Sequence, residues 1–551
     1  MTPPNSFEPY FAFTRDLSPD QPMHRSESFE AVCRAMSDRD FYPHRVTRLE
    51  RRDTHISTVF LTGDWAYKIK KPVNFGFLDF TTLEERQRLC RQEVSLNQRL
   101  THDVYMGVVA VRRDESGRLS LEGSGRTVEV AVKMKQLPEE ACLGNLLERN
   151  VAGRAEMEAL GRHLAIFYQC CAVGREIDRY GHPEVVGYNM EENFDQVEPY
   201  VGSLVKAEEW EFIRQVSRTF LVNREALFLD RIRDGRIRDG HGDLRVEHIY
   251  WHGGLQIIDC IEFNDRFRYG DAAIDLAFLH MDMERLGHAD LSRAVMAAYV
   301  RQADDPELYA LLDFYAAYRA VVKLKVACLG YDALEEEAAR ANAAALVRTY
   351  EELAYRYAIR FSRPTLWVFC GLPATGKTSL AAAVSGPLRL RRFSSDSVRK
   401  QTIPGEHVVP YGQGIYRPEM RGRVYSRLLA LAQDQLKSGH SVILDATFGE
   451  RHWRDEAARL ARDLDANLVF VECAARMESI RDRLEKRGRE KGESDARLLQ
   501  LPEIMAHYQP PDEVPPANRL RVDTDEPAAG TLVELLERAY ILICGQVSSV
   551  L

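Results

Sequence analysis

The stretch Gly371-Leu372-Pro373-Ala374-Thr375-Gly376-Lys377-Thr378 constrains this chain more than any other. Its spacing is G-x-x-x-x-G-K-[ST], and both flanks suit the pattern. Thr365-Leu366-Trp367-Val368-Phe369-Cys370 reads as a buried strand, and Ser379-Leu380-Ala381-Ala382-Ala383-Val384 opens a helix. Strand, glycine loop and helix in that order make a phosphate cradle lined by Gly371, Ala374, Thr375 and Gly376. The glycines let backbone N–H groups close on the phosphates, and the helix N-terminus adds the positive end of its dipole. Lys377 is expected at the β- and γ-phosphates and the Thr378 hydroxyl on Mg²⁺, so ATP and Mg²⁺ are the implied cofactors.

A chain of 551 residues exceeds what one core can organise, so several domains are expected. With 45% hydrophobic and 28% charged residues, the composition is that of a globular protein in water. No apolar run approaches the ~20 residues of a membrane span. The first 30 residues lack a basic start followed by an apolar core, so no secretory leader is expected. A net charge of −9 excludes wholesale coating of nucleic acid while leaving room for a local basic groove. Ten cysteines without a C-x-x-C pair suggest reduced thiols, a cytoplasmic setting and no zinc site.

Along the chain, residues 1–25 are rich in Pro, Ser and Asp and read as a loose tail. Ser28 to Met36 reads as a short helix. Strands are expected over Arg45–Leu49, Ser57–Leu61 and Trp65–Lys70, the last two joined at Gly63-Asp64. Leu83 to Leu100 has helical spacing, and Val108–Arg112 and Val128–Lys133 are two further strands. Helix dominates from Leu143 to Asp239 and again from Ile274 to about Phe361, with a short β segment over Ile249–Phe263 between. Arg363-Pro364 breaks the helical pattern before the phosphate-loop region.

His241-Gly242-Asp243-Leu244-Arg245-Val246-Glu247-His248 precedes Ile257-Ile258-Asp259-Cys260-Ile261-Glu262. A carboxylate in a short loop, then a second at the end of a β hairpin, is how kinase-like folds place a base and a metal ligand. The stretch resembles the aminoglycoside-phosphotransferase and choline-kinase branch, with its H-G-D-x-x-x-x-N and later I-D. That resemblance implies Asp243 as the base that orients an acceptor hydroxyl and Asp259 as a Mg²⁺ ligand. It implies Lys68 at the nucleotide phosphates, Glu93 holding Lys68, and Asp275 bracing the loop. Two positions depart from the pattern. His248 stands where the metal-binding Asn is expected, and imidazole suits Mg²⁺ poorly. The loop over the phosphates, Arg52-Asp53-Thr54-His55-Ile56-Ser57, has no glycine, although the Thr54 and Ser57 hydroxyls remain as donors.

Beyond Lys377 lie three more stretches. Phe393-Ser394-Ser395-Asp396-Ser397-Val398-Arg399 follows a basic run, and Ser441 to Asp445 is an apolar strand ending in a carboxylate. Arg481 to Arg487 reads as a helix, on which Arg483 and Arg487, four apart, share a face and can close over phosphates. Asp445 is placed to complete the Mg²⁺ shell with Thr378. The set resembles the zeta-toxin and polynucleotide-kinase-like small-molecule kinases, to which Ser494-Asp495-Ala496 and Pro510-Pro511 also conform. By that resemblance Asp396 is the acceptor-side base and Arg399 an anion-binding partner.

The expectation is a two-domain α/β protein. Residues 26–362 would form a bilobal protein-kinase-like domain of aminoglycoside-phosphotransferase type. Residues 363–551 would form a P-loop NTPase with a parallel sheet flanked by helices. The whole resembles bacterial proteins that fuse these two domains, which implies ATP-dependent phosphoryl transfer to a hydroxyl of a small molecule or nucleic-acid end. Two rivals stay open: an ATP-switched regulator with a pseudokinase first domain, and an antibiotic-modifying phosphotransferase.

Overall fold

The computed structural model describes residues 27–76, 78–332, 334–402, 417–489, 498, 501–525 and 528–548. The 1–25 tail and Ser494-Asp495-Ala496 lie outside them. The chain forms two compact units. One contains the described residues up to Gly153 with Cys171–Ile177 and Ile237–Gly270; the other contains Arg154–Cys170, Asp178–Arg236 and the chain from Asp271 onward. The expected boundary at 362/363 falls inside the second unit, where a helix ends at Ser362 and a strand begins at Thr365.

In the first unit, β1 (Glu50–Asp53), β2 (Ser57–Leu61), β3 (Trp65–Lys70), β4 (Tyr105–Arg113), β5 (Leu119–Leu121) and β6 (Arg126–Lys135) make one antiparallel sheet. Their order is β1-β2-β3-β6-β4-β5. The first strand is not Arg45–Leu49, as the alternation there predicts. The Thr54 N–H donates to the Ser57 carbonyl at 2.9 Å and closes the turn. Pairing counted back from that turn matches Asp53 to Thr58 and Glu50 to Leu61, which exhausts β2. Val46 and Leu49 still pack on the core beside Phe60, Tyr67 and the helix Glu27–Met36.

Alternation on β3 sends Tyr67 and Ile69 into that core and Ala66 to the opposite face, against Cys90 of the helix Leu83–Asn97. Lys68 and Lys70 therefore face this helix. Thr82 caps it by accepting from the Glu85 N–H at 3.2 Å. A buried Arg86–Glu129 pair at 2.9 Å fastens it to β6. Later in the chain, β8 (Ile249–Trp251) and β9 (Leu255–Ile257) form a hairpin; the short strands β7 (Ile237–Asp239) and β10 (Tyr269–Asp271) lie before and after it in sequence.

The second unit joins a helical bundle to a parallel sheet. Long helices at Ala272–Arg285, Ala289–Ala303, Leu308–Asp332 and Glu337–Ser362 lead to β11 (Thr365–Cys370). With β12 (Arg391–Ser394), β13 (Val442–Asp445), β14 (Asn467–Ala474) and β15 (Arg519–Asp523) it forms a parallel sheet, in the order β12-β13-β11-β14-β15. Every residue of β11 is buried. Leu366, Val368 and Cys370 pack on one face against Val424 and Leu428 of the helix Pro418–Lys437. Trp367 and Phe369 pack on the other against Leu380 and Val384 of the helix Lys377–Leu388 and Leu535 of the helix Ala528–Ser548. Burial on both faces is why these strands read as continuous apolar runs. Among the described residues no helix is long and apolar enough to cross a membrane, and all ten cysteines are free thiols.

The bundle is pinned by Arg231, which is 1% exposed. Its guanidinium forks onto Asp271 at 2.8 and 2.6 Å and also pairs with Asp305, which accepts from the Tyr299 hydroxyl. Removing the arginine strips Asp271 of its fork and leaves buried Asp305 with only Arg236 nearby. Arg231→Met is therefore expected to cost this unit about 3–5 kcal/mol of unfolding free energy. Arg231→Lys should recover only part, because the fork is lost. Burial disfavours the charge of Asp305, but Arg231 and Arg236 outweigh it and hold its carboxyl below the ordinary range. The contribution is then full above the unfolded carboxyl pKa of about 4 and disappears as pH falls toward the depressed folded value. Denaturant titration from pH 7 to 3 checks both statements; a loss under ~1 kcal/mol at pH 7 refutes the first.

Candidate functional site

In the second unit the phosphate loop leaves β11 at Gly371, whose φ is +135°. A Cβ there would lie 2.4 Å from the Cys473 carbonyl of β14, so only glycine fits between the strands. Ala374 and Gly376 also take positive φ, which curls the loop into the first turn of the helix Lys377–Leu388. The Lys377 ammonium folds back and donates to the Leu372 carbonyl at 2.6 Å. Burial pushes its pKa below the ordinary lysine value even with Asp445 nearby. Two residues after β15 brace the loop from behind. The Thr524 hydroxyl lies 2.7 Å from the Thr375 carbonyl and 3.0 Å from that of Ala474. Asp525 takes the Arg476 N–H at 2.7 Å, at the start of the helix Met477–Arg489.

Arg483, expected as a lid residue, does reach the loop. It does so by donating to the carbonyls of Ala374 at 3.2 Å and Thr524 at 2.7 Å, so it holds the loop's backbone. The Arg487 side chain lies outside the described residues.

Parallel register aligns Ser394, Asp445 and Phe369 across β12, β13 and β11. The phosphate loop, Asp445 and the start of the helix Ser395–Thr402 thus share the carboxyl edge of the sheet, the edge where open α/β folds take ligands. Asp445 is 3% exposed, stands near the Thr378 hydroxyl, and accepts from Arg392 at 3.0 Å. Burial raises its pKa despite these partners and Lys377. Thr378 and Asp445 fit a hard cation that takes one or two protein oxygens and draws the rest from phosphate and water. On the Ser395–Thr402 helix, Arg399 donates to Asp396 at 2.7 Å, one turn back. Sequence reasoning missed Arg392. Its signal was period 2 on β12, which sets it on one face with Ser394 and opposite Phe393, a residue that packs into the core.

In the first unit, Lys68 contacts Glu93 at 2.9 Å, as expected, and also Asp259 at 2.5 Å. Burial disfavours charge on all three, but mutual attraction wins. Lys68 titrates well above its ordinary value, and Asp259 and Glu93 below theirs. A Cβ on Gly242, whose φ is +89°, would lie 2.8 Å from the Phe267 carbonyl oxygen. His241 joins the loop to the Asp259 segment: its Nε2 lies 3.0 Å from the Ile258 carbonyl, and its Nδ1 accepts from the Asp243 N–H at 3.2 Å. Asp243, the expected base, is forked by Arg245 at 3.0 and 2.9 Å.

His248 donates from Nδ1 to the Asp243 carbonyl at 2.8 Å, which turns Nε2 toward Asp259 at 3.7 Å. One ion could bridge that gap, with an imidazole in place of an oxygen ligand. Among the described residues no group of three or more His, Cys, Asp or Glu is arranged for a metal, so phosphate oxygens would have to complete either site. Of the two hydroxyls expected over the phosphates, that of Thr54 is engaged within the turn, accepting from the Ser57 N–H at 3.0 Å, whereas the buried Ser57 hydroxyl has no hydrogen-bond partner among the described residues; Lys71 clamps the Thr54 carbonyl at 2.6 Å. Asp275 accepts from Tyr168 at 3.1 Å and faces Arg319 at 3.5 Å, within the second unit. Arg245, Lys70 and Glu262 were missed, though Lys70 follows Lys68 by two on a strand and Glu262 follows Asp259 by three.

Comparison with known proteins divides the sequence differently from the two compact units, the first matched region taking in parts of both. Residues 81–318 match the phosphotransferase enzyme family and residues 366–511 an AAA domain. The uncharacterized protein Rv2004c of Mycobacterium tuberculosis is 34% identical over 454 residues, which cover 81% of this chain and 88% of that protein. Among solved structures, a choline/ethanolamine kinase family protein from Mesorhizobium loti is 13% identical. The match covers 59% of this chain and 99% of that one at a TM-score of 0.35. Kti12 of Chaetomium thermophilum, in complex with ADP-AlF3, is 18% identical over 32% of this chain and 98% of its own, at a TM-score of 0.27. The chain belongs to the family of the mycobacterial protein and carries a phosphotransferase-family region followed by a P-loop, kinase-like region.

Proposed function

We propose that the second unit transfers the γ-phosphoryl group of Mg²⁺-bound ATP to a hydroxyl of a small molecule or nucleic-acid end. The observation that carries this reading is the shared sheet edge, where a phosphate loop and an acid-base pair, Asp396 and Arg399, stand side by side. A pure nucleotide switch needs the first and has no use for the second. When bound, Mg²⁺ would neutralise charge on the β- and γ-phosphates. Lys377 would exchange the Leu372 carbonyl for a phosphate oxygen. Asp396 would orient the acceptor hydroxyl and take its proton, and Arg399 would turn from Asp396 to an anionic group of the acceptor.

For the first unit a second reading is favoured by particular contacts. The Thr54 hydroxyl is spent within the turn, Lys68 sits on Asp259, and Arg245 occupies both oxygens of Asp243. These support a module that binds nucleotide and transfers phosphate slowly or not at all, so that it regulates.

Three outcomes test these readings. With Asp259→Ala silencing the first unit, Lys377→Ala should remove most ATP turnover while circular dichroism stays unchanged; normal turnover would refute the assignment. Asp396→Asn and Arg399→Ala should leave ATP affinity within a few-fold yet cut transfer to the acceptor by about a hundredfold. Parallel loss of ATP binding would make the pair structural. In the first unit, Mn²⁺ should support nucleotide binding better than Mg²⁺, and His248→Asn should reverse that order, as calorimetry can read.

A further inference from the structure

One buried cation has no task in this chemistry. Lys70 is 1% exposed and donates to Glu93 Oε2 at 2.7 Å while Lys68 holds Oε1 at 2.9 Å. Its other partner is Glu262, and its ammonium lies 5.1 Å from the centre of the Phe80 ring. Asp259 and Glu262 stand on one loop. Asp259, Lys68, Glu93, Lys70 and Glu262 therefore form a chain of alternating charge, closed into a ring only by the loop that carries its two ends, that joins β3, the helix Leu83–Asn97 and that loop.

The ring's charges are unequally placed. Glu93 and Lys70 are almost wholly enclosed, while Asp259 is 44% exposed in its side chain. If Lys68 were the only cation on Glu93, drawing it toward a phosphate would strand a fully buried carboxylate, an arrangement far costlier than breaking a surface pair. With Lys70 in place, Glu93 keeps one partner throughout. We propose that Lys70, anchored by Glu262, is a positioning residue that keeps Glu93 compensated, so that Lys68 can exchange Asp259 for a nucleotide phosphate. The proposal rests on reading the first unit as a nucleotide site.

The test uses the full chain with Lys377→Ala, so that only the first unit binds. Affinity for a fluorescent ATP analogue is titrated with Mg²⁺ or Mn²⁺, and acetylation of Lys68 by acetic anhydride is followed by mass spectrometry. Lys70→Met with Glu262→Gln removes the second cation and its anchor together. Lys68 is then pinned on Glu93, so affinity should fall at least about tenfold and acetylation should slow. Adding Glu93→Gln removes the charge that pins Lys68 and should recover both. Lys70→Arg, which keeps the cation, should bind within a few-fold of the parent. Unchanged affinity and labelling in the double variant, or further weakening when Glu93→Gln is added, overturns the proposal. Lys70→Gln with Glu262→Gln replaces the methionine pair if that protein does not fold. If the parent binds no analogue, the nucleotide reading of this unit fails, and Lys68 labelling alone decides the ring.

Discussion

The enclosure of β11 on both faces is the constraint from which the second site follows. A strand with no solvent face must lie in the middle of its sheet, with helices above and below. Its end then opens onto the crevice between those layers, flanked by β13 on one side and β14 on the other. The phosphate loop begins at that end, and its curvature is set by the approach of Gly371 to the Cys473 carbonyl. Asp445 arrives beside it because β13 is the neighbouring parallel strand and stops in the same row.

The two candidate sites share an electrostatic habit despite unrelated folds. Each candidate carboxylate already holds a cation: Asp445 has Arg392, Asp396 has Arg399, Asp243 has Arg245 and Asp259 has Lys68. Without ligand, such pairs keep buried charges compensated. On the proposed reading, ligand binding would be an exchange of partners, in which the gain from phosphate or metal is offset by the ion pair given up.

Much of this was legible in the sequence, and the illegible part has a common cause. The phosphate loop, Asp445 and the Lys68–Glu93 pair were readable because each follows from local spacing plus the order of elements. The false strand at Arg45–Leu49 arose because alternation marks a half-buried segment without saying where its partner strand ends; the Thr54–Ser57 turn settles that. Arg245 and Thr524 were invisible for another reason: each acts on atoms of its own or a distant loop, and arginine or threonine at such positions has no periodic signature. His248 was legible as a departure from pattern, but its hydrogen bond to the Asp243 carbonyl was not.

The bracing of the phosphate loop by Thr524 has a consequence for how the protein is made. The loop leaves the ribosome with residues 371–378, yet the hydroxyl that supports Thr375 follows only after about 150 more residues, beyond the last strand of the sheet. During that interval the loop lacks this brace. The second site is completed late, when β15 has docked, so any truncation that removes this strand forfeits the site while leaving its signature motif intact.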